Sequence, residues 1–482
     1  MKKSVAFFFL LLIAATVQVH ARKITGVVTG EGRPLAGVIV SDGYGFTLTD
    51  VKGKFKMDTA PDARTVFAVA PAGYAGDWSG GTPRFFAPLD GGSKFKIDLK
   101  AYGKGNDYTI LAISDTQTKD KSQLSQFAAE PLADLCKVSA EKAAENTTVA
   151  MTLGDIAWNK LDIYPAYLKE ISKVSVPVYP VIGNHDYIQN LGGIAAAKTY
   201  EETFGPYNYA FFLGKDLVLS INNIVFYGTD ALKAKTAKKR YVEGYSHETL
   251  EFVRGLLKYV GKDTHIYIAQ HSPLVIGGRR RILHLDAMLS ILAGYKVDFF
   301  TGHTHYMRIH DVTPSVRDNN VAAIGGAWWD TMWCRDGTPR GYGIFTCKNG
   351  SLSRRWHNID YPDDFQVEFL YDTRWNPGAI VANVWDYDNS WTVEWYQDGQ
   401  YVCRLTRRRD CSPTYVRQIT EVFEKRGKKI PAFKTPARLD HYFAAVPSDN
   451  AAKAEIVVKA PDGRQWRHEF DLVALRSAAP SK

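Results

Sequence analysis

The 482-residue sequence predicts a central α/β domain with a small all-β domain on each side. Three observations predict it. From Asp107 to about Val321, apolar β-type runs alternate with stretches of helical periodicity, the order expected of βα units. Before that span, short alternating runs are separated by Gly, Pro and Asp turns; after it, alternating aromatic-rich runs take over. The chain is also too long for one ordinary core.

Residues 1–21 open Met1-Lys2-Lys3, continue through an apolar run over 5–17 and close on Val19-His20-Ala21. This reads as a secretory signal cut after Ala21, because the run is too short to span a bilayer comfortably. No cysteine follows the cleavage point, which argues against a lipoprotein, and no later stretch has the apolar length of a membrane helix. The expectation is an exported protein, periplasmic or secreted, with no transmembrane segment in the mature chain.

Residues 22–100 carry short alternating runs at 24–28, 37–41 and 54–57, the pattern of a small β domain. The stretch Gly26-Val27-Val28-Thr29-Gly30-Glu31-Gly32-Arg33-Pro34-Leu35-Ala36-Gly37-Val38 resembles transthyretin-like β-sandwich modules. It carries no visible chemistry, and its expected role is to dock against the next domain or to space it from a surface.

The central domain is expected over 101–322, after a linker at 101–106. Strand 108–114 leads into Asp115-Thr116-Gln117, and a helical stretch follows with Leu124, Phe127, Leu132, Leu135 and Val138 on one side. Strand 148–153 delivers Gly154-Asp155. A short helix at 164–171 precedes the run 176–181, which ends in Gly183-Asn184-His185-Asp186. Beyond an apolar stretch at 217–227 and a helix marked by Leu250, Val253, Leu257 and Val260, strand 265–270 ends in His271-Ser272-Pro273. Helix 285–292 and strand 297–301 then deliver Gly302-His303-Thr304-His305. Residues 323–482 read as a second β-sandwich, with runs at 366–371, 380–385, 391–396 and 465–475 and a hairpin signal at Asp398-Gly399.

The formal charge is +9, and the excess basic residues are clumped at 233–240, 279–281, 404–409 and 425–429. Such clumps suit an anionic substrate or surface. They lack interleaved aromatics, so a nucleic-acid groove is not favoured. Five cysteines is an odd count for an exported chain. Cys403 and Cys411 flank a short basic segment and are candidates to close a loop, while Cys136 falls on the apolar side of a helical pattern.

Five strands are thus followed at once by metal-ligand types: Asp115, Gln117, Asp155, Asn184, His271, His303 and His305. An amide, an imidazole and a carboxylate at the end of a buried strand are costly unless metal or substrate engages them. All seven are oxygen or nitrogen donors, a set that suits manganese, zinc or iron. Seven ligands exceed the need of one tetrahedral ion and suit two ions sharing a carboxylate. In His303-x-His305, alternate residues of an extended segment face the same way, so two imidazoles converge.

The blocks Asp115-Thr116-Gln117, Gly154-Asp155, Gly183-Asn184-His185-Asp186, His271 and Gly302-His303-Thr304-His305 resemble, in order, the motif series of the calcineurin-like metallophosphoesterase superfamily, in its exported bacterial type with N-terminal and C-terminal β domains. The resemblance implies two β-sheets packed as a sandwich flanked by helices, with two divalent or trivalent ions at the strand ends. It implies that Asp155 bridges the ions, that Asp115, Gln117 and His305 complete one site, and that Asn184, His271 and His303 complete the other. His185 is then the catalytic partner of the phosphate or leaving group, oriented by Asp186. Gln117 stands where the family more often has histidine; its amide oxygen still reaches a metal but is neutral and weaker. The implied reaction is hydrolysis of phosphomonoesters or phosphodiesters, small-molecule or envelope-derived, by direct transfer to water.

The segment from Gly326-Ala327-Trp328-Trp329-Asp330 to Gly341-Tyr342-Gly343 resembles a loop of relatives with a similar C-terminal domain, and Trp329 is a candidate substrate contact. Arg279, Arg280 and Arg281, soon after His271, are candidates to hold an anionic group. Two rival readings stand beside this one. A carbohydrate- or envelope-binding protein with a vestigial metal site has Gln117 as its support, and a nuclease would show steep salt dependence.

Overall fold

The computed structural model describes residues 22–103, 105–279, 282–372 and 378–478. The expected signal segment, Arg280 and Arg281 lie outside the described residues.

The central body is the expected mixed α/β architecture, two sheets face to face with helices outside. The first sheet runs Val178–Pro180, Thr147–Thr152, Tyr108–Ile113, Gly341–Lys348, Ser351–Asn358, with its first three strands parallel. The second runs Tyr209–Leu213, Asp216–Ser220, His265–Ala269, Lys296–Thr301, Val316–Asn320, Arg308–Thr313. Strands such as Tyr108–Ile113 and His265–Ala269 are buried on both faces, which is why they read as continuous apolar runs. Tyr179 stacks on Phe211 at 3.8 Å and Phe300 lies 4.4 Å from Phe345, so large rings fill the space between the sheets. Helix Lys121–Ala129 starts where Asp120 accepts from the Gln123 N–H, and Pro131 opens helix Pro131–Glu145. Both helices turn the predicted Leu124, Phe127, Leu132, Leu135 and Val138 inward.

The sequence boundary at 322/323 cuts through this body. Strands Gly341–Lys348 and Ser351–Asn358 belong to the first sheet, where Gly341–Lys348 pairs antiparallel with Tyr108–Ile113. Helical periodicity fades beyond Val321 because the chain there crosses from the second sheet back to the first through a long loop.

The N-terminal domain has a five-stranded and a four-stranded sheet, built from Arg22–Gly30 onward. Its core is continuous with that of the central body: Phe85 lies 5.0 Å from Tyr209, and Phe46 lies 5.5 Å from Phe252. The C-terminal domain has two four-stranded sheets, with the hairpin at Asp398-Gly399 in place (φ 47 and 80). It also holds the helix Pro413–Lys425, capped by Ser412, which the β-rich reading did not include. Cys403 sits exposed on Gln400–Arg404, whereas Cys411 follows Arg408–Asp410 in the other sheet of this domain.

Candidate metal centre

The five loops that follow the central strands meet at one end of the sandwich. Within them Asp115, Gln117, Asp155, His303 and His305 all adopt left-handed backbone (φ 54, 42, 53, 69 and 53), a conformation that costs roughly 1–3 kcal/mol per residue. Two glycines let the loops approach. A Cβ at Gly183 would overlap the Asp155 backbone nitrogen and carboxylate, and one at Gly302 would overlap the Ser114 hydroxyl.

Asp155 sits at the centre, 1% exposed. Its Oδ1 accepts from the His185 N–H (2.8 Å), and its Oδ2 accepts from Gln117 Nε2 (2.6 Å) and lies 3.2 Å from His271 Nε2. On one side, His271 Nε2 is 3.1 Å from both Asn184 Oδ1 and His303 Nδ1. Ligand atoms of Asp155, His271 and His303 all fall within 4.8 Å of one another. On the other side, His305 Nε2 lies 3.4 Å from Asp115 Oδ1.

The fit of this set to metal ions rests on its unpaired atoms. Asp115 Oδ1, Gln117 Oε1 and His305 Nε2 are buried and lack hydrogen-bond partners, an arrangement that costs free energy unless a cation joins them. The imidazoles are also set up as ligands, each with one ring nitrogen turned to an oxygen acceptor and the other to the cluster. His271 Nδ1 donates to the Leu153 carbonyl (2.7 Å), His305 Nδ1 donates to the Gly326 carbonyl (3.1 Å), and His303 Nε2 lies 3.7 Å from Glu243. Both groups of predicted residues therefore fit a cation.

The charges are strongly coupled. Burial opposes the charge on Asp155, but His271 and His185 outweigh it and hold its carboxyl well below the usual carboxylate range. Burial likewise opposes protonation of His271, and Asp155 overrides it to lift that imidazole to about 9. Burial dominates at His185 and pushes its imidazole down to about 4.

His185 and Asp186 do not form the expected pair. His185 Nδ1 donates to Asn159 Oδ1 (2.7 Å), and its ring stacks on Trp158 at 4.1 Å. Asp186 points the other way: Oδ1 accepts from the Ala157 N–H and the Tyr164 hydroxyl (both 3.0 Å), and Oδ2 from the N–H groups of Gly183 (2.9 Å) and Ile156 (3.2 Å). It ties the Asp155 loop to the Asn184 loop. Burial and the nearby Asp155 raise its carboxyl to about 7.

Trp329, half-buried, packs beside the Asp115 loop. Its indole N–H donates to the Thr116 carbonyl (3.0 Å), and its ring meets Phe127 edge-on. The neighbouring Trp328 instead stacks on His305 at 3.8 Å. Arg279 is exposed in a turn that pairs with Ile276, and the positive charges felt by His185 are those of Arg240, His271 and His303. Asn159 and Trp158 were missed by the sequence reading although they follow Asp155 in the same loop; an amide and an aromatic there were the available signal. Arg240, Tyr241 and Glu243 lie in and beside the basic clump at 233–240, which charge alone marks as suiting an anionic substrate or surface without singling out these residues.

Comparison with known proteins agrees with this geometry. Residues 108–307 match the model of the calcineurin-like phosphoesterase family, residues 22–101 match the N terminal of calcineurin-like phosphoesterase, and residues 318–466 match its C terminal. The chain thus belongs to the calcineurin-like phosphoesterases, and it is a metal-dependent phosphoesterase. No curated protein matches it in sequence. Similar solved structures include a dimetal phosphatase from Danio rerio, at 14% identity and a TM-score of 0.38, covering 52% of this chain and 96% of that one. A 5′-nucleotidase from Candida albicans aligns at 12% identity and a TM-score of 0.33, covering 54% of each chain. A putative 5′-nucleotidase from Staphylococcus aureus aligns at 11% identity and a TM-score of 0.34, covering 54% of this chain and 56% of that one. The chain spans about half the length of the two nucleotidases.

Proposed function

We propose that the protein hydrolyses phosphoric esters at two metal ions that share Asp155. Asp115, Gln117 and His305 would hold one ion, and Asn184, His271 and His303 would hold the other. The observation that carries this is the convergence of three orphaned buried donors, Asp115 Oδ1, Gln117 Oε1 and His305 Nε2, beside the tight Asp155, His271 and His303 cluster. The hard carboxylates and borderline imidazoles suit manganese, zinc or iron. When bound, such a pair brings a water's pKa towards neutrality and offsets charge on the phosphoryl group.

The remaining steps fall to the chain's own residues. Asn159 fixes the His185 tautomer with the proton on Nδ1, so Nε2 faces the cluster, 3.9 Å from Asp155 Oδ2. Taking up a second proton from solvent at Nε2, the imidazolium gives that proton to the leaving oxygen and returns to the neutral form with its proton on Nδ1. Arg240 supplies positive charge on the His185 side, where a phosphate oxygen gathers charge. No side chain is placed as a nucleophile in this scheme, so transfer goes directly to water with inversion at phosphorus; retention would contradict it.

The rival binding-protein reading rested on Gln117, whose buried, unpartnered Oε1 stands here with the other candidate ligand atoms. Trp385, Trp391 and Trp395 of the C-terminal domain are core residues, 1–3% exposed, and form no glycan platform. Export is proposed on the two lysines, the apolar run and the small residues of the N-terminal segment. No helix among the described residues is long and apolar enough to cross a membrane.

The test is hydrolysis of 4-nitrophenyl phosphate and bis(4-nitrophenyl) phosphate by metal-stripped protein with manganese, zinc or iron restored. The expected result is metal-dependent turnover that Asn184→Ala loses, and the preferred ester distinguishes monoesterase from diesterase. Folded protein that is silent with every metal would contradict the proposal.

A further inference from the structure

Beside the candidate metal centre, on the Gln117 side, lies a cavity of about 360 Å³. The central body and the C-terminal domain build it together. Its walls include Trp158 and Trp328, the rings that stack on His185 and His305. The third ring is Phe433, from the turn Ala432–Lys434 of the C-terminal domain. It lies 6.0 Å from Trp158 and 5.0 Å from Trp328 between ring centroids, yet it is 46% exposed. Its plane is turned 80° from that of Trp328 and 36° from that of Trp158, so its exposed face is left for a flat ligand to stack on. The Trp328 indole N–H is buried without a partner.

The charge of this cavity points the same way. Its lining includes Lys119, Arg426, Lys428 and Lys434 against one carboxylate, Asp330. Asp330 pairs with Arg426 and Lys434, which leaves Lys119 and Lys428 as positive charge beyond that pairing. An aromatic, cationic hollow that opens beside Gln117 suits the part of a phosphoric ester that departs from phosphorus.

We propose that this cavity is a leaving-group pocket, and that the substrate is a phosphoric ester whose leaving group carries a flat aromatic ring, stacked on Phe433 and bordered by the two tryptophans. The inference rests on the phosphoesterase reading and adds the substrate class to it. Phe433 becomes a specificity residue donated by the C-terminal domain, which explains why that domain packs against the mouth of the site.

Adenosine 5′-monophosphate and ribose 5-phosphate share a phosphate monoester on a primary alcohol and differ in the ring. Calorimetry on the metal-free, full-length protein should show the ring-bearing ester binding about tenfold more tightly, the scale of one base stacked on an aromatic side chain. Phe433→Ala should bring the ratio close to one, and Phe433→Tyr should keep it. With manganese restored, kcat/KM for the two esters should show the same ratio, expressed in KM. Equal binding of the two esters by the parent protein, or equal losses for both in Phe433→Ala, would overturn the pocket. Turnover without ring preference would remove the pocket and leave the phosphoesterase standing. Ring preference in binding with no turnover of any ester would remove the phosphoesterase and the leaving-group role with it.

Discussion

At the scale of single residues, the site separates two roles that adjacent positions in the sequence appear to share. His185 faces the reacting groups and is held by Asn159, while Asp186 faces away and collects four hydrogen bonds. Asn159→Ala should therefore lower kcat about 10- to 100-fold with KM little changed, because the tautomer of His185 is no longer fixed. Asp186→Ala should instead lower stability by about 3 kcal/mol or more, since it strands buried donors from two loops. Kinetics and chemical denaturation of the two variants check this, and a purely kinetic defect in Asp186→Ala would contradict it. The ligand candidates were legible in the sequence because each stands directly after an apolar run, where a polar residue is costly without a function. The partner of His185 was not legible. Which way a side chain points within a loop depends on the left-handed turns at Asp155 and Asn159 (φ 53 and 59), and periodicity carries no signal for those.

At the scale of elements, the strands bring the ligands together only because glycines let neighbouring loops touch. Gly302 leaves space for the Ser114 hydroxyl, which donates to Asp115 Oδ2, the oxygen that also accepts from the His303 N–H (2.8 Å). Gly302→Ala should displace Asp115 and reduce activity on 4-nitrophenyl phosphate about a hundredfold. The far-UV spectrum should stay unchanged, and full activity would contradict the packing argument. The helix at 164–171 was legible to the residue, and Asp398-Gly399 marked its hairpin, because periodicity and turn chemistry act locally. That strands Gly341–Lys348 and Ser351–Asn358 join the first sheet was not legible, because sheet membership is a long-range property: Gly341–Lys348 pairs with Tyr108–Ile113, more than 200 residues earlier, and Ser351–Asn358 pairs in turn with Gly341–Lys348.

At the scale of the whole molecule, the flanking domains are parts of one packed body. Arg64 of the N-terminal domain pairs with Glu201 on helix Lys198–Phe204 of the central body. Burial dominates over Arg64 at that carboxyl and raises it from 4.5 to about 7. The folded chain therefore holds this proton more tightly than the unfolded chain does. The resulting stability is fully present below the unfolded value and is lost as pH rises through about 7. Melting temperatures at pH 5 and pH 8 should show a smaller loss for Glu201→Gln than for the parent chain, and equal losses would contradict it. The shared core was hidden from a sequence that reads as separate domains, because contacts such as Phe85 with Tyr209 leave no local pattern. The central claim is that Asp155 and the six residues around it hold two metal ions. The most direct test is anomalous scattering from crystals of the manganese-loaded protein. Two peaks are predicted, both in contact with Asp155, one also at Asp115, Gln117 and His305 and the other at Asn184, His271 and His303. A single peak, or metal bound elsewhere, would contradict the account.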